Sequence, residues 1–429
     1  MSNFNHTNYA QNLKQVLGYK CLICGQEYQL HEIEYICPKH GNEGIVDVIY
    51  DYDFLRNKLT KHQLANCQEH NIWRYKPFLP IQPDAPTPPL LIGWTPIYHA
   101  QILGQKLGLP NLWIKDDGRN PTASFKDRAS AIAIVKGQAC HAEIITTAST
   151  GNAAASLAGL CASVGQRNVI FVPRTAPEAK IAQLLAYGST VLLVDGTYDQ
   201  AFELCLEAAS EFGWYNRNTA YNPFMSEGKK TAALEICEQF NYNPPDKIFV
   251  SVGDGCIIGG LYKGFQDLQA LGWIEKIPQL IGVQSKESAY LYEAWKNNES
   301  VLDKPPIKAN TQADSIGVNL PRDRLKAIRA VTETKGKFLA VSDESLLAAI
   351  PALGSATGIF AEPAAAAVYA GLLEAVAQGL VSASQTILLI ITGHGLKDIS
   401  GAMKGIKKAG LNSKVIEPTL CAVKNHLNL

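Results

Sequence analysis

One lysine, Lys126, stands between a polar turn and an apolar run in the stretch NPTASFKDRAS. An Asn-Pro pair breaks the preceding strand-like NLWIK, and Thr122 and Ser124 are residue types that cap helix starts. The apolar residues that follow predict a largely buried helix beginning near Lys126. Lys126 is therefore either a solvated first-turn lysine or, if partly desolvated, an amine that forms a Schiff base with a carbonyl cofactor.

Three loops after apolar runs carry further residues that could bind a ligand. They are Ser149, Thr150, Gly151 and Asn152 after EIITTA; Gly253, Asp254, Gly255 and Cys256 after KIFVSV; and Thr392 and His394 after TILLII. Ligands of open α/β sheets bind at the carboxyl ends of strands. The first loop could hold a carboxylate or simply cap a helix, and the glycines of the second let backbone amides wrap a phosphate. With the lysine, these are the groups needed to bind pyridoxal phosphate.

A separate cluster of possible metal ligands lies near the N-terminus. Cys21 and Cys24 are separated by two residues, and after twelve more residues Cys37 and His40 repeat that spacing. Three thiolates and one imidazole in this pattern predict a structural, tetrahedral zinc site, with a reduced, metal-free hairpin as the alternative. Similar knuckles occur in nucleic-acid binders, but no basic and aromatic cluster surrounds this one, which favours a small structural lobe.

The elements that must position these residues alternate between apolar strands and helices of about twelve residues, which is typical of parallel sheets covered on both faces. We therefore expect an α/β fold with two-lobed, doubly wound parallel sheets and a small N-terminal zinc-knuckle-like segment. The proline-rich PFLPIQPDAPTPPLL ends the N-terminal region. The predicted division is residues 1–45 for the knuckle, 46–140 and 223–429 for a large cofactor-binding domain, and 141–222 for a small α/β domain.

Composition excludes several classes of function. The chain of 429 residues is 47% hydrophobic, and its 39 basic residues equal its 39 acidic ones. No overall basic field indicates nucleic acid, and no run approaches the roughly 20 apolar residues of a membrane helix. The ten cysteines lie mostly in apolar segments, the pattern of free thiols. We expect a cytoplasmic protein that acts on a small molecule.

Four motifs, NPTASFKDRAS, TASTGN, VGDGCIIGG and TGHGLKD, together resemble those of the threonine synthase family among the tryptophan synthase β-like (fold type II) pyridoxal phosphate enzymes. CLICG, YDYDF and GWTPI also stand where that family carries similar strings. The resemblance covers most of the chain. It implies a homodimeric lyase that converts O-phosphohomoserine and water to threonine and phosphate.

The resemblance also implies a role for each matching residue. Lys126 would be the Schiff-base lysine and proton carrier, Phe125 would pack beside the cofactor ring, and Asn152 would bond its phenolic oxygen. Thr392 would face the pyridine nitrogen, which a hydroxyl does not force to be protonated. The phosphate would be held by Gly253, Asp254, Gly255, Cys256 and Ile257, and the substrate by Ser149, Thr150, Gly151 and Asn222.

One residue departs from the family pattern. In YNPFMSEGKKT, Met225 stands where an NPxRxEG string has an arginine suited to a substrate phosphate. The alternatives are therefore another elimination or β-replacement enzyme on the same scaffold, such as a serine or threonine deaminase, a cysteate-synthase-like enzyme or a diaminopropionate-type enzyme. A cofactor-binding or zinc-dependent interaction protein that has lost catalysis is a reading from a different class.

Overall fold

Three sheets organise the chain in a computed structural model that describes residues 13–176 and 178–427. The strands are β1 (Val16–Cys21), β2 (Glu27–Tyr28), β3 (Val46–Tyr50), β4 (Ile97–His99), β5 (Leu112–Asp116), β6 (Ile144–Ala148), β7 (Arg167–Pro173), β8 (Thr190–Val194), β9 (Tyr215–Asn216), β10 (Lys247–Ser251), β11 (Gln279–Ser285), β12 (Lys337–Val341) and β13 (Ile387–Ile391). Their orders are β2-β1-β3, β12-β11-β10-β13-β5-β4 and β8-β7-β6-β9.

Helices connect most of these strands. The α-helices are α1 (Tyr52–Arg56), α2 (Lys61–Ala65), α3 (Gln101–Leu107), α4 (Asp127–Ala139), α5 (Asn152–Ser163), α6 (Glu178–Ala186), α7 (Tyr198–Phe212), α8 (Phe224–Gln239), α9 (Cys256–Ala270), α10 (Tyr290–Asn297), α11 (Arg324–Glu333), α12 (Asp343–Thr357), α13 (Pro363–Ala377), α14 (Ile399–Lys408) and α15 (Leu420–Leu427). No helix in the described ranges is long and apolar enough to cross a membrane.

The six-stranded sheet is parallel except at one edge. Strands β5 and β10 to β13 run parallel, and β13, which is buried at every position, lies between β10 and β5. The edge strand β4 pairs antiparallel with β5. The prediction of wholly parallel sheets is therefore wrong for this edge, where β4 is short and partly exposed instead of being a continuous apolar run.

The N-terminal sheet is antiparallel and extends beyond the boundary at residue 45. Strand β3 pairs with β1 over most of its length, so the segment that carries the cysteines is completed by residues 46–50. This sheet packs on the rest of the protein through polar contacts: Tyr50 donates to Glu227 on α8 at 2.6 Å, and Asp47 pairs with Lys326 on α11 at 3.0 Å. The four-stranded sheet is parallel throughout and is formed by strands between Ile144 and Asn216.

Helix α4 confirms the prediction of a buried helix after Lys126, since all but its last two residues are buried. Its buried charge, Arg128, pairs with Asp117 at 2.7 Å and with Glu235 on α8 at 2.5 Å. Lys115 on β5 also pairs with Glu235, at 3.0 Å. Burial alone would raise the pKa of Glu235, but these two cations outweigh it and lower the pKa to about 2. The network fixes α4, and hence Lys126, against the six-stranded sheet.

Candidate active site

A cavity of about 400 Å³ lies where the six-stranded and four-stranded sheets meet. Its wall is formed by loops that follow β6, β9, β10 and β13, as expected for ligands at the carboxyl ends of strands. The structure brings the following sequence-predicted residues to this one wall: Lys126, Ser149, Thr150, Gly151, Asn152, Gly253, Asp254, Gly255, Cys256, Ile257 and Thr392. Residues from four separate loops thus converge on a space large enough for a cofactor and a small substrate.

The lysine turn is held by the loop after β13. Phe125 N–H donates to the carbonyl of Thr392 at 2.9 Å, and His394 N–H donates to the carbonyl of Ala123 at 3.0 Å. Ala123 has a φ of 62°, a conformation that non-glycine residues adopt only when their surroundings impose it. Lys126 then occupies the position before the first residue of α4 and extends into the cavity.

The glycine loop after β10 forms a cradle in which only glycine fits. Gly255 has a φ of 94°, and a Cβ there would lie 2.7 Å from the Cβ of Ala327 and 2.9 Å from the carbonyl oxygen of Asp323. Helix α9 begins directly after it at Cys256, so the first N–H groups of that helix face the cavity without intrahelical acceptors. An anion such as the phosphate of pyridoxal phosphate fits this helix N-terminus.

The loop after β6 offers a second helix N-terminus to the cavity. Gly151 N–H donates to Ser149 Oγ at 3.2 Å, which shapes the turn before α5. Asn152, the first residue of α5, donates from Nδ2 to Glu362 Oε1 at 2.8 Å. Ser149 N–H donates to the carbonyl of Phe171 at 3.1 Å, so the groups of this loop that face the cavity are the Thr150 N–H and the hydroxyls of Ser149 and Thr150, which suit a carboxylate.

Thr392 has a polar neighbour that the sequence did not single out. Its Oγ1 lies 3.3 Å from Ser251 Oγ, because β13 and β10 are adjacent parallel strands that end side by side. Both hydroxyls line the cavity. Ser251 is the last residue of KIFVS, directly before the glycine loop, and its position at a strand end was the signal that could have identified it.

Glu362 is the second cavity residue that sequence reasoning missed. It precedes α13 in the apolar string FAEPAAAA, is 3% exposed and lines the cavity. Burial raises the pKa of its carboxyl, which the hydrogen bond from Asn152 and the charge of Lys126 oppose. A charged residue type in an otherwise apolar segment was the available signal.

Two residues predicted to touch ligands lie outside the cavity wall. Phe125 is fully buried beneath the lysine turn, where the guanidinium of Arg128 lies over its ring. Asn222 is also buried, and its Nδ2 donates to the carbonyl of Asn216 at 2.7 Å and to Tyr215 Oη at 3.1 Å. Its Oδ1 accepts from Phe224 N–H at 3.0 Å at the start of α8, and its contact with the substrate stays a prediction.

Met225 likewise does not line the cavity. It lies in the first turn of α8, is fully buried and belongs to the main hydrophobic core. The neighbouring Lys230 pairs with Asp267 and Glu227, so it offers no free charge to a ligand. A cation does reach the cavity from the loop after β9: Arg217, which the sequence did not indicate, lies on its wall.

The N-terminal cysteines and histidine form a compact cluster. The potential ligand atoms of Cys21, Cys24, Cys37 and His40 all lie within 4.8 Å of one another. His40 Nε2 is buried and has no hydrogen-bond partner in the part of the chain that the structure describes, as expected for a nitrogen that faces a metal. Three thiolates and an imidazole suit tetrahedral zinc, so the donor set fits the metal.

A lysine, a glycine-bounded helix N-terminus and a hydroxyl at the junction of two α/β sheets define the class of pyridoxal-phosphate-dependent enzymes. The family model described as "Pyridoxal-phosphate dependent enzyme" matches residues 89–393. The chain belongs to this family, within its threonine synthase branch, and is a pyridoxal-phosphate-dependent lyase.

Two similar proteins are threonine synthases, and a solved structure shares the fold. The chain is 35% identical to the threonine synthase of Methanocaldococcus jannaschii over 386 residues, which is 90% of this chain and 94% of that protein. It is 35% identical to the threonine synthase of Methanosarcina acetivorans over 88% of this chain and 92% of that one. The structure of the processed form of threonine deaminase isoform 2 from Solanum lycopersicum matches with a TM-score of 0.63 at 23% identity. The match covers 74% of this chain and 88% of that one, so the two share the fold.

Proposed function

We propose that the protein is a threonine synthase, which converts O-phosphohomoserine and water to threonine and inorganic phosphate. In this reaction the Cγ–O bond breaks to release phosphate, and water adds its hydroxyl at Cβ. The main support for the proposal is the identity of 35% to a threonine synthase across nine-tenths of the chain. The cavity agrees with it, because it contains a lysine and two helix N-termini that could bind anions.

The residues of the cavity suit this reaction. Pyridoxal phosphate, when bound, supplies an electron sink for negative charge at the substrate's α-carbon. Residues 253–257 would hold the phosphate of the cofactor, and residues 149–151 the α-carboxylate of the substrate. Lys126 Nζ would take and return the protons of the substrate, and Thr392 Oγ1 would bond the pyridine nitrogen. Asn152, oriented by Glu362, would bond the phenolic oxygen.

A substrate comparison tests the proposal. Purified holoenzyme is incubated with O-phosphohomoserine and, separately, with O-phosphoserine, and each reaction is assayed for phosphate and for the amino-acid product. We expect phosphate and threonine in equal amounts from O-phosphohomoserine only. Consumption of O-phosphoserine, or of serine or threonine with release of ammonia, in place of this reaction would indicate a related elimination or β-replacement enzyme.

We also propose that residues 46–140 and 223–429 act as the large cofactor-binding domain and residues 141–222 as a small domain across the cavity. The N-terminal cluster is proposed to hold one structural zinc. Because all four positions of a tetrahedron would be filled by protein ligands, no position is left for a substrate. Metal analysis of protein purified without chelator should find one zinc per chain, and finding none would remove this part of the proposal.

A further inference from the structure

Arg217 is a buried cation on the cavity wall for which the described part of the chain shows no carboxylate partner. It is 1% exposed, and its Nε donates to Ser130 Oγ at 3.1 Å. Its Nη2 has no hydrogen-bond partner among the described residues. A buried guanidinium nitrogen without an acceptor is costly, so its retention indicates that a ligand supplies the acceptor.

Arg128, the other arginine that is fully buried in the described part of the chain, has its charge neutralised and so contrasts with Arg217. Arg128 donates from Nε and both Nη atoms to Asp117 and Glu235, so its charge is neutralised within the fold. Among the described residues, the hydrogen-bond partner of Arg217 is the neutral hydroxyl of Ser130. Burial consequently lowers the pKa of Arg217 to about 10, whereas the two carboxylates hold the pKa of Arg128 above its usual range.

A second cation without a carboxylate partner stands behind Arg217. Lys229 on α8 is fully buried, and its Nζ donates to Thr219 Oγ1 at 2.7 Å. No salt bridge within the described ranges includes Lys229. Burial lowers its pKa to about 8; the charges of Cys256 and of the buried carboxyl of Asp323 oppose this shift, and those of Arg217 and Lys126 add to it. Thr219 itself lines the cavity, and its hydroxyl, which accepts from Lys229, can donate to a ligand.

We propose that Arg217 and Thr219 form the subsite for the phosphate group of the substrate, with Lys229 as the positioning residue behind them. The inference rests on the proposed function, since it names the anion that the substrate carries. Two cations that form no salt bridge among the described residues, with Asp127 and Asp323 acting on them only from a distance, match a phosphate monoester, which carries about −1.5 to −2 near pH 7, better than a carboxylate with a single charge. The planar fork of Arg217 also suits two phosphate oxygens at once.

The cofactor brings a phosphate of its own, but a different element suits it. The glycine loop and the N-terminus of α9 belong to the six-stranded sheet, whereas Arg217 and Thr219 follow β9 of the four-stranded sheet. Lys229 packs against α9, where a Cβ at Gly260 would lie 2.6 Å from its Cβ, so the two anchors adjoin on the cavity wall but come from different sheets. This separation makes a clear prediction: loss of Arg217 should weaken substrate binding and leave the cofactor in place.

The test uses the holoenzyme in four forms: wild type, Arg217→Met, Arg217→Lys and the control Arg167→Met. Arg167 begins β7 of the same sheet and is an exposed arginine paired with Glu143, so the control removes a guanidinium from the same lobe but not from the cavity. Cofactor retention is read from visible absorption after gel filtration. Affinity for inorganic phosphate is measured by calorimetry, and KM is measured for O-phosphohomoserine.

For Arg217→Met we expect retained cofactor, and a roughly 10- to 100-fold rise in both the KM for O-phosphohomoserine and the Kd for inorganic phosphate. The affinity for L-homoserine, which lacks the phosphate, should stay within about 2-fold of wild type. Arg217→Lys should show an intermediate rise, because it keeps the charge but loses the fork. Should Arg217→Met not fold, Arg217→Lys carries the same test.

Two results would overturn the inference: unchanged KM and phosphate affinity in Arg217→Met and Arg217→Lys, or loss of the cofactor from either variant. The second would assign Arg217 to the cofactor's phosphate. Failure of the proposed function is distinguishable, because wild-type protein would then not turn over O-phosphohomoserine at all. Calorimetry with inorganic phosphate would still show whether Arg217 binds an anion.

Lys229→Met separates positioning from direct contact. If Lys229 acts through Thr219, Lys229→Met should raise the KM for O-phosphohomoserine more than it changes kcat. In the wild type, KM should rise as the pH increases above about 8, because Lys229 loses its proton there, and this rise should be absent from Lys229→Met. A KM that follows the same pH profile in Lys229→Met and wild type would remove Lys229 from the subsite.

Discussion

Lys126 occupies the residue before α4, and its backbone is fixed from one side by the loop after β13 and from the other by a helix that is buried on all faces. No other lysine stands on the described cavity wall. The backbone of Lys126 is therefore held in one place relative to the glycine loop, which keeps the amine within reach of a cofactor and of the proton that it would move.

Lys126→Ala should abolish the visible absorption of the bound cofactor and reduce turnover by roughly 10³-fold or more. The reason is the absence of a second amine on the cavity wall. Absorption spectra of the purified variant, with the exposed Lys106→Ala as a control, check this. A variant with the wild-type visible spectrum would contradict the assignment of Lys126.

Met225→Arg should destabilise the protein by roughly 3 kcal/mol or more, because it places an unpaired guanidinium in the main core. Met225→Leu, which keeps the volume, should cost less than about 1.5 kcal/mol. Urea unfolding of both variants makes the comparison. If Met225→Arg is as stable as wild type and gains turnover of O-phosphohomoserine, the arginine reaches the cavity and the natural substrate carries no phosphate.

At the scale of elements, the buried charges around Glu235 join α4, α8 and β5. The pKa of the Glu235 carboxyl is about 2 in the folded protein and near 4.5 in the unfolded chain. Between pH 2 and pH 4.5 the unfolded chain therefore binds a proton that the folded protein does not bind. Its stabilising contribution is thus complete above about pH 5 and is lost as the pH falls toward 2, by up to roughly 3 kcal/mol.

Glu235→Gln should therefore reduce stability at pH 7 and weaken the dependence of stability on pH between 5 and 3. The matched control is Glu143→Gln, which removes an exposed carboxylate paired with Arg167 and should cost no more than about 1 kcal/mol. Denaturant unfolding at pH 7, 5 and 3.5 gives the comparison. Parallel pH profiles for wild type and Glu235→Gln would show that this carboxylate does not carry the dependence.

The cysteine cluster connects to the glycine loop through two elements. Glu43, in the turn after His40, pairs with Arg324 at the start of α11. The adjacent Asp323 N–H donates to the carbonyl of Asp254 in the glycine loop at 2.9 Å. Loss of order in the cluster can therefore reach the loop that we assign to the cofactor's phosphate.

Removal of the proposed zinc by a chelator should lower the melting temperature by roughly 3 °C or more and increase the rate at which the cofactor dissociates. Cys37→Ala should reproduce both effects, and Cys67→Ala, outside the cluster, should show neither. Calorimetry and visible absorption during dialysis measure them. Loss of turnover with unchanged melting and cofactor retention would instead indicate a catalytic metal.

The sequence predicted the elements whose pattern is local. The Lys126 turn and the loops after β6, β10 and β13 were identified because continuous apolar strands end at a recognisable polar residue or glycine. Strand β9 has only two residues, which is too few for a pattern, so nothing in the sequence indicated that Arg217, directly after it, would lie on the cavity wall. The contact between Asn152 and Glu362 joins residues 210 positions apart, which no periodicity reveals.

At the scale of the whole molecule, the homodimer and the cytoplasmic location stay predictions from the sequence. Sedimentation equilibrium of the holoenzyme should give a mass near twice the 46.6 kDa of one chain. A single-chain mass across the micromolar range would contradict the dimer. The candidate cofactor residues that line the cavity all belong to one chain, so we expect dilution to leave the cofactor bound.

The position of β13 has a consequence for how the protein is made. Although it is the last of the described strands along the chain, it lies between β10 and β5 in the six-stranded sheet. While the ribosome is still translating the preceding segments, β5 and β10 expose facing edges that have no neighbour, and such edges favour aggregation. The six-stranded sheet and the cofactor site can be completed only after β13 and Thr392 have left the ribosome. Soluble yield in a host cell should therefore respond to slower synthesis and to chaperones that shield strand edges, and added vitamin B6 should not replace either.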